Sequence, residues 1–178
     1  HGGVKLKSFT IIPDSDTVAE LCFEASHEAL AAINSTPQYA KICIPSFSYI
    51  WHPFSVFTSP ARHRPTTLRI MFRATGKFTQ HLMNALVLHS STRVSNGASN
   101  VPLLLFDGFY GGGLDRVQQA LRYDAIIMVA GGIGITYFLS FLPSLLSVLS
   151  AMRRGSSHEY RTKEVYLHWI CRDTGLVN

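Results

Sequence analysis

Residues 125–152 read AIIMVAGGIGITYFLSFLPSLLSVLSAM, a run without a single Asp, Glu, Lys, Arg or His. It is longer than the roughly 20 apolar residues a membrane-crossing helix needs. Three features divide it instead. Gly131, Gly132 and Gly134 crowd its first third, Pro143 interrupts the remainder, and Ser140, Ser144, Ser147 and Ser150 recur along it. Close-set glycines cost a helix about 1 kcal/mol each relative to Ala. The division that fits is a strand from Ala125 to Ala130, a glycine turn, and a helix from about Thr136. Ile126, Ile127, Met128 and Val129 suit a parallel strand covered on both faces. A strand feeding a glycine turn and a helix start is a place for an anion. Missing side chains let a pyrophosphate approach backbone N–H groups, and the helix end adds about half a positive charge. The turn departs from GxGxxG, because Thr136, Tyr137 and Phe138 stand where a third small residue belongs. A true membrane span and a purely structural turn are the alternatives.

Working outward, an apolar strand Val101–Phe106, a glycine-rich turn Gly108–Gly113 and a short helix Asp115–Leu121 precede this unit, and the strand Val165–Ile170 follows it. That order is the β-α-β unit of a parallel nucleotide-binding sheet. The first hundred residues have a different texture. Lys5–Ile12, Val18–Glu24, Tyr39–Ile44, Phe54–Thr58 and Thr67–Arg73 are short segments rich in Val, Ile, Phe, Tyr or Thr, separated by Pro, Ser, Asp and Asn. Such spacing predicts an antiparallel barrel or sandwich. Thr79–Leu88 reads as a helix opened by a hydroxyl cap, and Ser90–Asn100 as a polar loop. The fold class is therefore α+β in two parts: an antiparallel β-barrel over residues 1–106, then a truncated parallel α/β Rossmann-like domain over residues 107–178.

Composition narrows the functions. With 178 residues, 47% hydrophobic and 15% charged, the chain has enough apolar content for a folded core. A net charge of +5 favours anionic partners. Nucleic acid is argued against, because Arg62, Arg64, Arg69 and Arg73 form one loose group and Arg153 and Arg154 another, with no basic stripe and no aromatic RNA-binding signature. Cys22, Cys43 and Cys171 are odd in number and widely spaced, which is neither a disulfide framework nor a zinc pattern, and suits a reducing compartment. Eight histidines include no HExxH and no helical pair beside a carboxylate, so no metal is expected. The N-terminus lacks an initiator Met and a signal-peptide pattern and reads as the interior of a longer protein.

Five segments in order carry a sharper signal: His52-Pro53-Phe54-Ser55; Arg73-Ala74-Thr75-Gly76-Lys77-Phe78-Thr79; Asp107-Gly108-Phe109-Tyr110-Gly111; Gly131-Gly132-Ile133-Gly134-Ile135-Thr136; and Trp169-Ile170-Cys171-Arg172-Asp173. Together they resemble the flavoprotein dehydrogenase region of NADPH oxidases and ferric-chelate reductases, relatives of ferredoxin-NADP reductase. The resemblance runs from about Pro37-Gln38-Tyr39 to Asp173.

That resemblance implies roles. His52, Pro53, Phe54 and Ser55 would line the isoalloxazine of FAD, with the Ser55 hydroxyl near its reactive nitrogen. Arg73 would pair with the FAD pyrophosphate, with Gly76 and Thr79 beside it at a helix start; a guanidinium offers phosphate a two-pronged fork. Gly108 and Gly111 belong to the cofactor-binding set. Gly131, Gly132, Gly134 and Thr136 would receive the NADPH pyrophosphate, and Arg172 its 2′-phosphate. Ser55, Thr136 and Cys171 are the candidates for the reacting centre. The activity implied is hydride transfer from NADPH to FAD, then single electrons to haem in an absent membrane domain and on to oxygen or ferric iron, on the cytosolic face of a membrane.

Taken singly, these residues have plainer readings: Pro53 as a strand start, Arg73 as a solvated strand charge, Cys171 as a small buried apolar side chain. The sequence also departs from the family. Tyr137 stands where a Pro usually follows the turn, Lys77-Phe78 replaces an acid or Asp-Trp, and the family's later Cys-Gly-Pro motif and terminal aromatic do not occur before Asn178. These departures favour the alternative of a truncated, non-catalytic binding or interaction module.

Overall fold

The computed structural model describes residues 4–12, 15, 17–26, 28, 38–58, 67–92, 103–111, 115–152 and 160–172. Six strands, β1 (Val4–Ile11), β2 (Val18–Ala25), β3 (Gln38–Ile44), β4 (Ser48–Thr58), β5 (Thr67–Arg73) and β6 (Leu105–Tyr110), form one sheet in the order β1-β2-β5-β4-β3-β6. Every pairing in it is antiparallel. Phe23 on β2 and Phe106 on β6 are far apart in that order, yet their rings meet edge-on at 5.7 Å. Only a sheet that curls on itself brings them together, as in an open barrel.

Strand alternation builds the core. Ala19, Leu21 and Phe23 of β2 point inward, as do Leu68, Ile70 and Phe72 of β5. On the outer face Arg69 Nη1 donates to both carboxylate oxygens of Glu20, at 3.0 and 3.1 Å. The barrel end is closed by helix α1 (Lys77–Thr92), whose Phe78, Leu82, Met83 and Leu86 recur at helical spacing and enter the same core. Its carboxyl-terminal turn reaches into the segment expected to be loop, and the rest of that loop lies outside the described residues.

Three sequence expectations shift. β4 is longer than Phe54–Thr58, beginning at Ser48. β6 lies later than Val101–Phe106, because Gly108, at φ +49°, lets the strand continue against β3 through Tyr110. The expected boundary between residues 106 and 107 thus falls inside a strand of the first sheet. The glycine-rich turn lies partly outside the described residues.

The second part contains helix α2 (Asp115–Ala120), strand β7 (Ala125–Gly131), a 3₁₀ turn (Gly132–Gly134), helix α3 (Ile135–Met152) and strand β8 (Glu164–Ile170). β7 and β8 pair in parallel. Val117, Leu121, Ile126, Met128, Phe141 and Leu145 form a second core between this sheet and the helices. Burial alternates along β7 rather than covering both faces: Ile126, Met128 and Ala130 are buried and the residues between them exposed. The opposite face of the sheet leaves Ile127 and Val129 of β7 and Ile170 of β8 at 66%, 63% and 72% exposure. Pro143 sits inside α3 without ending it. Residues Gly132–Ala151 are long and apolar enough to cross a membrane by length and composition, but here they form a turn and a helix packed against the second core and β4.

Candidate functional site

The first cluster sits where β5 ends and α1 begins. Gly76 is the helix cap: its carbonyl accepts from Gln80 N at 2.9 Å and from Thr79 Oγ1 at 3.0 Å, while its own N–H donates to Thr79 Oγ1 at 3.1 Å. No acidic residue occupies the first turn, so the positive end of the helix dipole is not neutralised from within. Arg73 stands just before this cap, with Nη1 donating to Thr17 Oγ1 at 3.4 Å. Arg73, Gly76 and Thr79 are thus brought together at a helix start; the Gly76 N–H and the Thr79 hydroxyl are spent on the cap itself, which leaves the Arg73 guanidinium and the free first-turn N–H groups as the donors suited to a diphosphate.

His52, Pro53, Phe54 and Ser55 lie in the middle of β4, and the two-residue period of the strand divides them between two faces. His52 stacks on Phe78 with centroids 3.8 Å apart, and Phe54 leans on Phe78 and Phe72 at 6.1 and 6.2 Å. Ser55 lies opposite Tyr39 on β3, and Tyr39 opposite and stacked on Tyr110 of β6. His52 and Phe54 therefore lie on one side of the strand, and Pro53 and Ser55 on the other.

Tyr110 anchors a small polar group. Its hydroxyl donates to Asp107 Oδ2 at 2.6 Å, Lys41 Nζ lies 4.4 Å from its ring centre, and the hydrogen bond to Asp107 raises its pKa above the ordinary phenol value. A Cβ on Gly108 would meet this ring at 3.0 Å, so Gly108 serves the packing of Tyr110. Gly111, at φ 112°, follows as the chain leaves β6.

The third cluster is the glycine turn at the carboxyl ends of β7 and β8, the edge at which parallel sheets bind dinucleotides. Gly132 has φ +48°, and its carbonyl accepts from Trp169 Nε1 at 2.9 Å. Thr136 is buried and its hydroxyl donates to Ile133 O at 3.0 Å. Cys171 and Arg172 follow β8 directly, half-buried and exposed respectively, at the same sheet edge. Tyr137 is held sideways, its hydroxyl accepting from Arg116 Nη1 at 3.0 Å.

The clusters face one another. β5 touches the glycine turn and α3 packs against β4. The position a Cβ would take on Gly132 is 3.8 Å from Arg73 Nη2, whereas at Gly131 and Gly134 nothing lies within 4 Å. That empty ground beside backbone amides and a guanidinium fits a dinucleotide phosphate. No group of three or more His, Cys, Asp or Glu suited to a metal exists among the described residues. Sequence reasoning missed the Trp169 and Arg116 contacts and the Tyr39–Tyr110 stack; only the first had a signal, since parallel pairing of β7 with β8 sets Trp169 beside Ala130, just before the turn.

The glycines separate stability from binding. Gly132→Ala is expected to cost about 1–2 kcal/mol, because the left-handed backbone rather than space is limiting. Gly134→Ala should leave urea unfolding within about 0.5 kcal/mol of wild type yet weaken NADP+ binding about tenfold, because its methyl occupies the open ground. Denaturation and equilibrium dialysis of both variants check this.

Comparison with known proteins agrees with this geometry. The family described as FAD-binding domain matches residues 5–113, and that described as ferric reductase NAD binding domain matches residues 123–178. The chain is 30% identical over 139 residues to NADPH oxidase 1 of Rattus norvegicus, covering 78% of this chain and 22% of the relative. It is 34% identical over 172 residues to ferric reduction oxidase 3, mitochondrial, of Arabidopsis thaliana, covering 96% of this chain and 21% of the relative. It therefore spans about a fifth of the length of these relatives. Among solved structures, ferredoxin-NADP+ reductase from Plasmodium falciparum with 2′P-AMP superposes with a TM-score of 0.53 at 15% identity, covering 96% of this chain and 62% of that one, a likeness of fold.

Proposed function

Because the chain belongs to the family of FAD-binding and NAD-binding domains found in ferric reductases and NADPH oxidases, we propose that it carries electrons from NADPH to FAD as the dehydrogenase part of a larger membrane enzyme. When bound, FAD would supply the chemistry that couples a two-electron hydride donor such as NADPH to single-electron acceptors, which in the parent enzyme would be haem in a membrane domain serving oxygen or ferric iron. The observation that supports this best is the apposition of the two phosphate-type sites, with Arg73 reaching the glycine turn.

In this reading Arg73, Gly76 and Thr79 hold the FAD diphosphate, and Gly131, Gly132, Gly134 and the α3 start hold that of NADPH. Arg172, exposed beyond β8, selects the 2′-phosphate. Ser55, Thr136 and Cys171 flank the reacting atoms, and His52 and Phe54 orient the flavin edge. Gly108 and Gly111 shape the chain leaving the barrel. The first domain ends after β6 rather than inside it, and the chain works at the cytosolic face of the membrane.

A second reading, a non-catalytic module, is favoured by the inward hydroxyl of Thr136 and the tethered Tyr137. Titration of the purified chain with FAD, followed by NADPH under anaerobic conditions, separates the two. Saturable quenching of flavin fluorescence and then bleaching near the flavin absorption maximum are expected. Binding of FAD without bleaching supports the module, and no binding of FAD by a folded chain removes the electron-transfer reading.

A further inference from the structure

Resting on the NADPH assignment above, we propose that Trp169 is a positioning residue that sets the orientation of the peptide between Gly132 and Ile133, and so aims a backbone donor at the nicotinamide dinucleotide's phosphates. Three observations carry it. The indole N–H of Trp169 donates to Gly132 O at 2.9 Å across 37 residues of chain, from a half-buried position at the end of β8. Ile135 N–H, shared with Ile133 O, also donates to this oxygen, so the carbonyl is held by two donors. The described peptide bonds are all trans, and in a trans peptide the C=O and the following N–H point in opposite directions. Drawing the Gly132 carbonyl toward β8 therefore turns the Ile133 N–H away from β8.

The clamp matters because of the residue it acts on. Gly132 at φ +48° has no Cβ to bias its neighbouring peptides, so a flipped peptide is sterically accessible. A flip would present a carbonyl lone pair where the anion needs a donor. A side chain that binds only one orientation removes that alternative before the nucleotide arrives, which raises affinity by pre-organisation. Trp169 touches neither nucleotide nor reacting atoms in this role. It differs from a packing residue in that its effect is confined to one of the two cofactors.

The test is Trp169→Phe in the FAD-loaded chain, which keeps an aromatic ring and deletes the N–H. NADP+ affinity by equilibrium dialysis should fall about five- to tenfold, the scale of one lost hydrogen bond, while FAD affinity and the urea midpoint stay close to wild type. Equal NADP+ affinity in wild type and variant overturns the proposal, and so does a parallel loss of FAD affinity. Should wild type bind FAD but no NADP+, the failure belongs to the NADPH assignment. Should the variant not fold, a Trp51→Phe chain leaves Trp169 as the sole indole of the two. Its indole N–H should be protected from hydrogen exchange before any NADP+ is added, and exchange at the rate of a free indole overturns the proposal.

Discussion

Phe78→Ala is expected to lower the free energy of unfolding by about 3–5 kcal/mol, the usual cost of emptying a large aromatic site. Phe78 is 6% exposed and belongs to the barrel core, and its ring has His52 at 3.8 Å, Phe54 at 6.1 Å and Phe47 at 6.4 Å. Few side chains join so many elements: it comes from the first turn of α1 and holds down the middle of β4. The truncation removes dispersion contacts and leaves a cavity that the helix cannot fill without leaving its cap. A typical domain is stable by only about 5–15 kcal/mol, so this one change removes a large part of the total. Urea unfolding at equilibrium measures it. The same variant should lose FAD affinity even where it remains folded, since His52 no longer has a ring to stack on. A loss below about 1 kcal/mol would show that α1 is not seated as described.

Arg73→Ala is expected to weaken FAD binding about 10- to 100-fold while changing stability little. The loss corresponds to charge-assisted hydrogen bonds worth about 1.5–3 kcal/mol. Stability should hold within about 1 kcal/mol, because Arg73 is half-exposed and its bond to Thr17 is long, at 3.4 Å. Arg73→Lys should fall between, keeping the charge and losing the fork. Raising the salt concentration should narrow the gap between wild type and Ala variant, since part of it is electrostatic. Flavin fluorescence titration of the three proteins checks this, and wild-type affinity in the Ala variant would sever Arg73 from the flavin diphosphate.

Much of the architecture was legible because it rests on local signals. Glycines and a proline break an apolar run, and β-branched clusters separated by turn residues mark short strands. The strand, turn and helix of residues 125–152 came from those signals, as did Thr67–Arg73 to the residue. Where the reading slipped, a non-local term decided. β4 begins at Ser48 although Tyr49, Ile50 and Trp51 are exposed, because pairing with β3, not burial, makes that end a strand. β6 runs through Gly108 because Tyr110 packs over it and β3 supplies the ladder. Pro143 stays inside α3, since packing of Phe141 and Leu145 holds the helix on both sides of it.

The candidate site divides in the same way. Sequence alone determined which residue types occur and in what order: a glycine turn after a strand, an arginine ahead of a helix start, and the five segments that together resemble one family. It could do so because backbone freedom, charge and capping are properties of a residue and its near neighbours. Tertiary structure alone decided that Arg73 meets the glycine turn, that Trp169 holds the Gly132 carbonyl, and that His52 and Ser55 belong to opposite faces of one strand. Those relations join groups tens of residues apart or depend on which way a strand faces its core, and they exist only once the sheet has curled and the two parallel strands have paired.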